Sequence, residues 1–200
     1  MLVNKTKLTS LKPHFGQGPS NLFTYKELEA LLNLRPFVNN KRFRPTGGKE
    51  YHWPVYDWFT DKDSWPISCI KDALSKSSAY IVDASRANEK INKFSETLEK
   101  IFKRPVDCHI YFSLNKNVES FGRHRDQSHN VIVVCEGKIN FKIYDGDTIL
   151  EKNLSKGDYA FIPAQMDHHL IPLTDKRLSC SFPIIPDGEK FDERDWFKIT

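Results

Sequence analysis

The chain is organised around the stretch Phe121-Gly-Arg-His-Arg-Asp-Gln-Ser-His-Asn130, which leads directly into a run of β-branched residues at 131–134. Within this stretch His124 and Asp126 are two positions apart. Alternate residues of an extended chain point to the same side, so this spacing directs an imidazole and a carboxylate toward one point. The stretch predicts a polar site at the end of a buried strand.

A second stretch, Ile162-Pro-Ala-Gln-Met-Asp-His-His169, offers a further imidazole on a strand expected to fold back over the first. Two histidines and one carboxylate are the usual protein ligands of non-haem Fe(II), and they leave coordination positions open. Adjacent strand residues face opposite ways, so only one of His168 and His169 is expected at the site. Two interpretations stay open here: a metal site, or a structural pair of His124 and Asp126 at a strand edge.

Short apolar segments separated by turns continue on both sides of these two stretches. They lie at 106–114, 131–135, 139–143, 148–150, 159–163, 168–173 and 178–183, with an Asp-Gly hairpin turn at 145–146. Several short strands with regular turn punctuation favour a sandwich or barrel. The predicted fold is mainly β with some α, a double-stranded β-helix of the cupin or jelly-roll type with a helical N-terminal half.

The N-terminal half predicts helices and an aromatic-rich segment. Residues 1–20 are expected to form an extended lead-in. Thr24, with Glu27 three places on, predicts a capped helix over 25–32, and apolar spacing predicts a second long helix opened by Asp83 or Ser85 and stopped by Pro105. A short helix is expected at 67–75 and a strand at 79–83.

We expect one structural domain in three parts: an N-terminal segment (1–105) packed on the barrel, a core (106–183) and a C-terminal tail (184–200). Two features of the N-terminal segment keep alternative interpretations. The basic loop at 41–48 is either a solvated loop or a clamp for an anion. The aromatic stretch at 51–65 is either a core flap or a wall that faces the substrate.

Composition is that of a globular chain: 200 residues, 39% hydrophobic, 28% charged, with a net charge of +4. This mild positive charge is compatible with nucleic acid without indicating it. No apolar run approaches the roughly 18 residues of a membrane span, and the N-terminus lacks the pattern of a signal peptide. The cysteines are expected as buried thiols, which suits a reducing cytoplasm; they are Cys69, Cys108, Cys135 and Cys180.

Residues from about 107 to 183 resemble the JmjC/cupin-like family of Fe(II)- and 2-oxoglutarate-dependent oxygenases, and within it the small bacterial members related to ribosomal-protein hydroxylases. Four stretches carry the resemblance: Ile110-Tyr-Phe-Ser113, Phe121-Gly-x-His-x-Asp-Gln127, Asn130-Val-Ile-Val-Val with Gly137 behind it, and Gly157-Asp-Tyr-Ala-Phe-Ile-Pro163 ending at His168. The resemblance implies iron ligands at His124, Asp126 and His168. It implies Fe(II) as cofactor and 2-oxoglutarate as co-substrate.

One position departs from the family's pattern. Members often carry Lys or Arg two residues after the glycine that matches Gly137, to bind the far carboxylate of the co-substrate; here that residue is Ile139. We expect Arg177 to replace it, at the start of the last strand; the alternative is a surface position beside Asp175. Four further residues are expected to add hydrogen bonds to the co-substrate: Tyr111, Ser113, Asn130 and Ser179.

The sequence predicts a cytoplasmic Fe(II)/2-oxoglutarate-dependent hydroxylase that acts on a protein side chain or a small molecule. Two other interpretations stay open. Ile139 favours a metal-dependent cupin that does not use 2-oxoglutarate, such as a dioxygenase or isomerase, and the shortness of the motif leaves room for a non-catalytic cupin used for binding. Substrate identity and oligomeric state are not encoded in any recognised motif.

Overall fold

The computed structural model describes residues 3–34, 43–46, 74–118 and 120–186. Several predictions lie wholly or largely outside these residues. They concern the basic loop at 41–48, the aromatic stretch at 51–65, the helix at 67–75, Cys69 and the tail from 187 onward.

Three helices and ten strands are described. The helices are α1 (Lys5–Thr9), α2 (Tyr25–Leu32) and α3 (Glu89–Phe102). The strands are β1 (His14–Gln17), β2 (Phe43–Pro45), β3 (Ala79–Ile81), β4 (His109–Ser113), β5 (His129–Glu136), β6 (Lys138–Asp145), β7 (Thr148–Ser155), β8 (Asp158–Ile162), β9 (Asp167–Pro172) and β10 (Arg177–Ile184).

The strands form two antiparallel sheets. The major sheet has seven strands in the order β1-β8-β5-β10-β4-β3-β2, and the minor sheet has the order β7-β6-β9. Short connections of one to four residues carry the chain back and forth between the sheets, since β5, β8 and β10 lie in one and β6, β7 and β9 in the other. This arrangement confirms the predicted mainly-β, jelly-roll class.

In the major sheet the strands β5, β8 and β10 are buried on both faces. On β5, Val131 and Val133 enter a core shared with the helices, whereas Ile132 and Val134 face the minor sheet. The first core includes helix residues Leu28, Leu31, Ile91, Phe94 and Leu98. The second fills the barrel, between the sheets, and it is the interior into which the candidate site opens.

The helix boundaries follow their caps. The Thr24 hydroxyl accepts from the Glu27 amide at 3.2 Å, which confirms Thr24 as the predicted N-cap. The Glu27 carboxylate accepts from the same hydroxyl at 2.8 Å, rather than from the Thr24 backbone N–H as in a capping box. The predicted start of α3 at Asp83 or Ser85 is wrong. Asn88 is the cap, its side chain accepting from the Ile91 amide at 2.7 Å, and Asp83 has a left-handed φ of 54°.

The N-terminal half is helical only in part. The lead-in, predicted to be merely extended, contains α1 and the edge strand β1, which pairs with β8. Strands β2 and β3 extend the opposite edge beyond β4. β3 confirms the strand predicted at 79–83. The sequence pattern did not reveal β1 and β2, because each is at most four residues long, too short to establish a period of two.

Two predictions about environment can be compared with the described residues. Cys108, Cys135 and Cys180 are buried free thiols, as predicted. In the described ranges every helix is too short or too polar to cross a membrane.

Candidate metal centre

Three side chains converge at one end of the barrel interior. The potential ligand atoms of His124, Asp126 and His168 all lie within 4.8 Å of one another. His124 Nε2 is 3.9 Å from Asp126 Oδ1, and His168 Nε2 is 3.6 Å from Asp126 Oδ2. His168 is buried, but His124 and Asp126 keep about a third of their side-chain surface, 32% and 39%. The group is therefore backed by protein on one side and open on the other.

The two imidazoles are oriented by backbone carbonyls. The Nδ1 atom of His124 is 3.0 Å from the Gly122 carbonyl oxygen, and that of His168 is 3.1 Å from the Met166 carbonyl oxygen. Because a carbonyl only accepts, each Nδ1 must carry the proton in these bonds. Each Nε2 then presents its lone pair to the other ligand atoms, the arrangement that metal-binding histidines usually have. Burial lowers the pKa of His168, which favours the neutral imidazole a metal requires.

A chain of hydrogen bonds fixes the carboxylate. The Asn130 side-chain amide donates to Asp126 Oδ2 at 2.7 Å, and its oxygen accepts from the Ser181 hydroxyl at 3.2 Å. Asn130 and Ser181 are both buried. The sequence assigned Asn130 to the co-substrate; its described side-chain bonds are to Asp126, Ser128 and Ser181.

The segment that carries two of these side chains, 121–128, is not part of a named strand. It is attached to β9 by a single bridge, in which the amides of His124 and His168 donate to each other's carbonyls at 3.0 and 2.8 Å. One further backbone bond, from the Gln165 amide to the Asp126 carbonyl, is 2.7 Å long. The bridge explains why both imidazoles enter the barrel from directly opposite positions.

Aromatic rings line the open side. Tyr80 stacks on Tyr111 with ring centroids 5.1 Å apart, and Phe121 meets both edge-on and lies 5.3 Å from the His124 ring. On the buried side Phe141 lies parallel to His168 at 5.9 Å. The site thus has an apolar lining that limits how many waters can approach the ligand atoms.

Arg177 is a fully buried cation on the barrel-facing side of β10, the side that also carries Ser181. Arg177 has no exposed surface, so the alternative of a surface position is wrong. Its Nη atoms donate to the hydroxyls of Ser179 at 3.2 Å and Ser78 at 3.4 Å, while its Nε has no partner. The adjacent Ser113 hydroxyl, opposite Arg177 on β4, is also buried without a partner. Within the described ranges no carboxylate lies within 4.0 Å of this guanidinium.

Among the described residues, the largest influence on the charge of Arg177 is its own burial. Burial, partly offset by Tyr25 and Tyr111, lowers the pKa of Arg177 to about 10, so the side chain is still protonated at neutral pH. Burial also raises the pKa of Tyr111 well above its usual value, with the Asp126 carboxylate acting in the same direction. Tyr111 is therefore a neutral phenol between a carboxylate and a cation, able to donate a hydrogen bond.

Ile139 occupies the position that is usually basic in the family that this chain resembles. Ile139 is fully buried on the barrel side of β6, in the core between the sheets. Gly137, at the corner before β6, has a φ of 77°, and a Cβ there would lie 2.7 Å from Thr174 Oγ1 and 3.2 Å from the Arg177 Cα. Arg177 and Ile139 therefore stand near the same corner of the barrel, on opposite sheets.

Three other histidines near the site make contacts outside the His124, Asp126 and His168 group. His169 pairs with Lys142 on the outer face of the minor sheet, because His168 pairs with Ile143 on the inner face. His129 accepts from the Ala164 amide at 2.9 Å. His109, on the inner face of β4 beyond Tyr111, lies 3.2 Å from the Asp107 carboxylate.

Some residues of the site were not foreseen. Ser78, which binds Arg177, lies 99 positions away in the chain, and no local pattern connects them. Asp167 accepts from Arg123 and Arg125 on the outer face of the bridge, and those hydrogen bonds hold its pKa below the usual range. The alternation Arg-His-Arg opposite Asp-His would have revealed this cluster if the bridge between His124 and His168 had been foreseen.

The architecture and the ligand group together define a class of protein. Residues 110–182 match the family model described as the cupin domain, and the two-sheet architecture agrees with that match. This match and the structural neighbours confirm the predicted resemblance at the level of the cupin fold.

Those neighbours are structures of YcfD, a ribosomal oxygenase from Escherichia coli. One YcfD crystal structure matches with a TM-score of 0.61 and 16% identity, covering 94% of this chain and 53% of that one. A complex with cobalt and succinic acid gives 0.59 and 17%, covering 98% and 54%. A complex with cobalt and 2-oxoglutarate gives 0.55 and 16%, covering 88% and 49%.

This chain spans about half the length of the YcfD chains it matches, and at this identity the likeness is one of fold. Among curated protein sequences none is significantly similar to this chain.

Proposed function

We propose that this chain is an Fe(II)- and 2-oxoglutarate-dependent hydroxylase. The observation that carries the proposal is the buried guanidinium of Arg177, which has no carboxylate within 4.0 Å in the described part of the chain, in the barrel that also holds the His124, Asp126 and His168 group. A metal-ligand group alone fits many cupins. A buried cation without a counter-ion calls for an anionic ligand, since an unpaired buried charge costs several kcal/mol.

The donor set fits Fe(II). Two neutral imidazoles and one carboxylate would hold one face of the ion and leave the other face for ligands. Asn130 would keep Asp126 in position, because its amide already donates to the carboxylate oxygen that lies nearer His168. His168 and Phe141 would exclude water from the inner side.

The donor set at the other end fits the far carboxylate of 2-oxoglutarate. Arg177 Nε and Ser113 Oγ have free hydrogen-bonding capacity, and the pKa of the Tyr111 phenol responds to the charges of both Arg177 and Asp126. An Arg–carboxylate pair is directional and charge-assisted. In this proposal Ser179 and Ser78 orient the guanidinium, and Ile139 no longer argues against co-substrate binding because the cation comes from the opposite sheet.

When bound, Fe(II) and 2-oxoglutarate supply the oxidative chemistry, in which decarboxylation is coupled to hydroxylation of a C–H bond. The chain's own residues bind and orient. The part-exposed side of His124 and Asp126, bordered by the rings of Phe121 and Tyr80, is where a substrate would approach. YcfD is named a ribosomal oxygenase; by analogy we propose a protein side chain as the substrate, with a small molecule as the alternative.

Anaerobic titration of the Fe(II)-loaded protein with 2-oxoglutarate tests the proposal. We expect one Fe(II) per chain and a visible charge-transfer band that develops as 2-oxoglutarate is added. Metal binding without that band would favour the metal-dependent cupin that does not use 2-oxoglutarate. Failure to bind any divalent metal would favour a non-catalytic cupin.

Substitution of Arg177 tests the anion subsite directly. Arg177→Ala should weaken 2-oxoglutarate binding by about two to four orders of magnitude, the equivalent of removing one partner of a buried ion pair, about 3–5 kcal/mol. Arg177→Lys should weaken it less, because the charge remains but the two-pronged geometry is lost. Iron binding should be unaffected in both variants. A dissociation constant for Arg177→Ala within about twofold of the parent would exclude Arg177 from the subsite.

A further inference from the structure

The bridge between His124 and His168 has a charged outer face. Arg123 and Arg125 flank His124, and Asp167 precedes His168. The Asp167 carboxylate accepts from Arg123 Nη2 at 2.8 Å and Nε at 3.2 Å, and from Arg125 Nε at 2.8 Å. We call these three residues the clasp.

Register explains why the clasp forms where it does. His124 and His168 are directly opposite and both point inward, so their sequence neighbours point outward. In an antiparallel bridge this places Asp167 opposite Arg125 and diagonal to Arg123. The same two backbone positions therefore carry imidazoles on one face and the clasp on the other.

Backbone hydrogen bonds alone attach segment 121–128 only weakly to β9. Segment 121–128 is held to β9 by one bridge rather than by a ladder of strand pairs. A single exposed ion pair contributes little, about 0.2–1 kcal/mol. Here one carboxylate receives three charge-assisted hydrogen bonds from two guanidiniums, and Arg123 is held further by its position 3.9 Å over the Tyr144 ring.

We propose that the clasp sets the spacing of the metal ligands: Asp167, with Arg123 and Arg125, is a positioning residue that keeps the His124–His168 bridge closed from its outer face. None of the three side chains needs to touch metal or substrate. This inference builds on the proposed metal site, but its first test does not require metal.

Amide hydrogen exchange in the metal-free protein is that first test. In Asp167→Asn the amides of His124 and His168, which form the bridge, should exchange at least about tenfold faster than in the parent, while amides in the centre of β5 and β10 are unchanged. Raising salt from about 0.01 M to 1 M should speed exchange of the two bridge amides in the parent and have little further effect in the variant, because salt screens exposed charges.

Asp147→Asn is the matched control. Asp147 lies exposed in the β6–β7 turn and makes no ion pair among the described residues, so it undergoes the same change of charge without touching the bridge. Exchange at the bridge within about twofold of the parent in Asp167→Asn would overturn the proposal. So would faster exchange spread equally over β5 and β10, since that would mean general loss of stability.

Metal affinity is the second test, with Co(II) as the probe and its visible absorption as the signal. Asp167→Asn should weaken Co(II) binding by about tenfold or more, as loss of groups that orient metal ligands usually does. Asp167→Glu should recover most of it and Asp147→Asn should match the parent. If Asp167→Asn binds Co(II) within about twofold of the parent, the clasp does not position the ligands.

The double substitution Arg123→Gln with Arg125→Gln guards against misfolding of a single variant. It breaks the clasp while leaving the Asp167 carboxylate in place, and it should reproduce both effects. If the parent itself binds no divalent metal, the proposed function fails and the exchange experiment still decides whether the clasp holds the bridge. A normal bridge exchange rate in the double variant would overturn the clasp.

Discussion

Strand β10 has two buried faces with opposite chemistry. Every one of its residues is buried. One face carries only apolar or thiol side chains, which pack with the helices: Leu178, Cys180, Phe182 and Ile184. The other faces the barrel and carries polar side chains: Arg177, Ser179 and Ser181.

The difference separates stability from binding within a single element. The apolar face stabilises the fold by removing carbon from water, about 25 cal/mol per Å². The polar face costs free energy unless its groups are paired, and two of those near it, Arg177 Nε and Ser113 Oγ, are not. Burial by itself is therefore no guide to function on this strand; the better indication is that two unpaired polar groups, Arg177 Nε and Ser113 Oγ, stand at paired positions of neighbouring strands.

The largest effect we expect is at the candidate metal centre, whose Asp126 is linked to the polar face through Asn130 and Ser181. His168→Ala should abolish stoichiometric Co(II) or Fe(II) binding while the fold persists, because it removes one of three ligand groups. His169→Ala should bind metal nearly as tightly as the parent, since His169 pairs with Lys142 on the outer face. Equilibrium dialysis with metal analysis measures both, and circular dichroism checks the fold. The reverse result would mean that the register of β9 is misassigned.

The apolar face should show the largest effect on stability. Phe182 is fully buried and meets Phe94 of α3 edge-on, with ring centroids 4.9 Å apart. Phe182→Ala should lower the free energy of unfolding by about 3–5 kcal/mol, the usual cost of such a cavity. Urea denaturation measures the loss. Protein that remains folded should keep the parent's Co(II) affinity; a large drop in that affinity would show that the two faces are not independent.

The alternation of inward and outward residues along a strand was sufficient to predict those parts of the site that depend on a single strand. The alternation of strand residues selected the face that Arg177 shares with Ser179, and the Thr24–Glu27 pattern located the start of α2. The start of α3 was misplaced because three polar residues, Asp83, Ser85 and Asn88, were all competent caps, and tertiary contacts chose Asn88, whose amide also donates to the Leu22 carbonyl at 3.1 Å.

Contacts between distant strands were not predictable in this way. The partner of Arg177 at Ser78 and the clasp on Asp167 both depend on which strands become neighbours. A register shift between Leu178 and Ser179 further changes the pairing of β10 with β5, so that Ser179 lies opposite Val134 rather than Cys135. An irregularity of this kind leaves no signature in the order of polar and apolar residues.

A smaller effect is expected when the buried charge of the polar face is removed without leaving a gap. Arg177→Met keeps an unbranched side chain of similar length and eliminates the desolvated guanidinium. In the absence of ligand the free energy of unfolding should be unchanged or rise by about 1–4 kcal/mol, as when buried ionic groups are replaced by apolar ones. Thermal and urea denaturation measure this. A loss of several kcal/mol would mean that Arg177 serves mainly to hold Ser78 and Ser179 together.

The smallest effects should come from the two serines of the polar face. The two substitutions are informative as a pair, because each should weaken the binding of a different ligand. Ser181 donates to the Asn130 oxygen at 3.2 Å, and Asn130 in turn donates to Asp126. Ser179 accepts from Arg177 at 3.2 Å. Ser181→Ala should therefore weaken Co(II) binding by up to about tenfold and leave 2-oxoglutarate affinity of the metal-loaded protein nearly unchanged.

Ser179→Ala should weaken 2-oxoglutarate binding and leave Co(II) affinity nearly unchanged. It removes a hydrogen bond that orients the Arg177 guanidinium, and it leaves the hydrogen bonds to Asp126 intact. Ser181→Ala removes one neutral hydrogen bond and should cost about 1 kcal/mol of stability, whereas Ser179→Ala removes a hydrogen bond from a charged guanidinium and should cost about 1.5–3 kcal/mol; neither loss should unfold the chain. Calorimetric titration of both variants with Co(II), then with 2-oxoglutarate, gives the four affinities. If both substitutions weaken Co(II) and 2-oxoglutarate binding equally, the polar face acts as a single site. It would then not be divided into a metal subsite and a separate anion subsite.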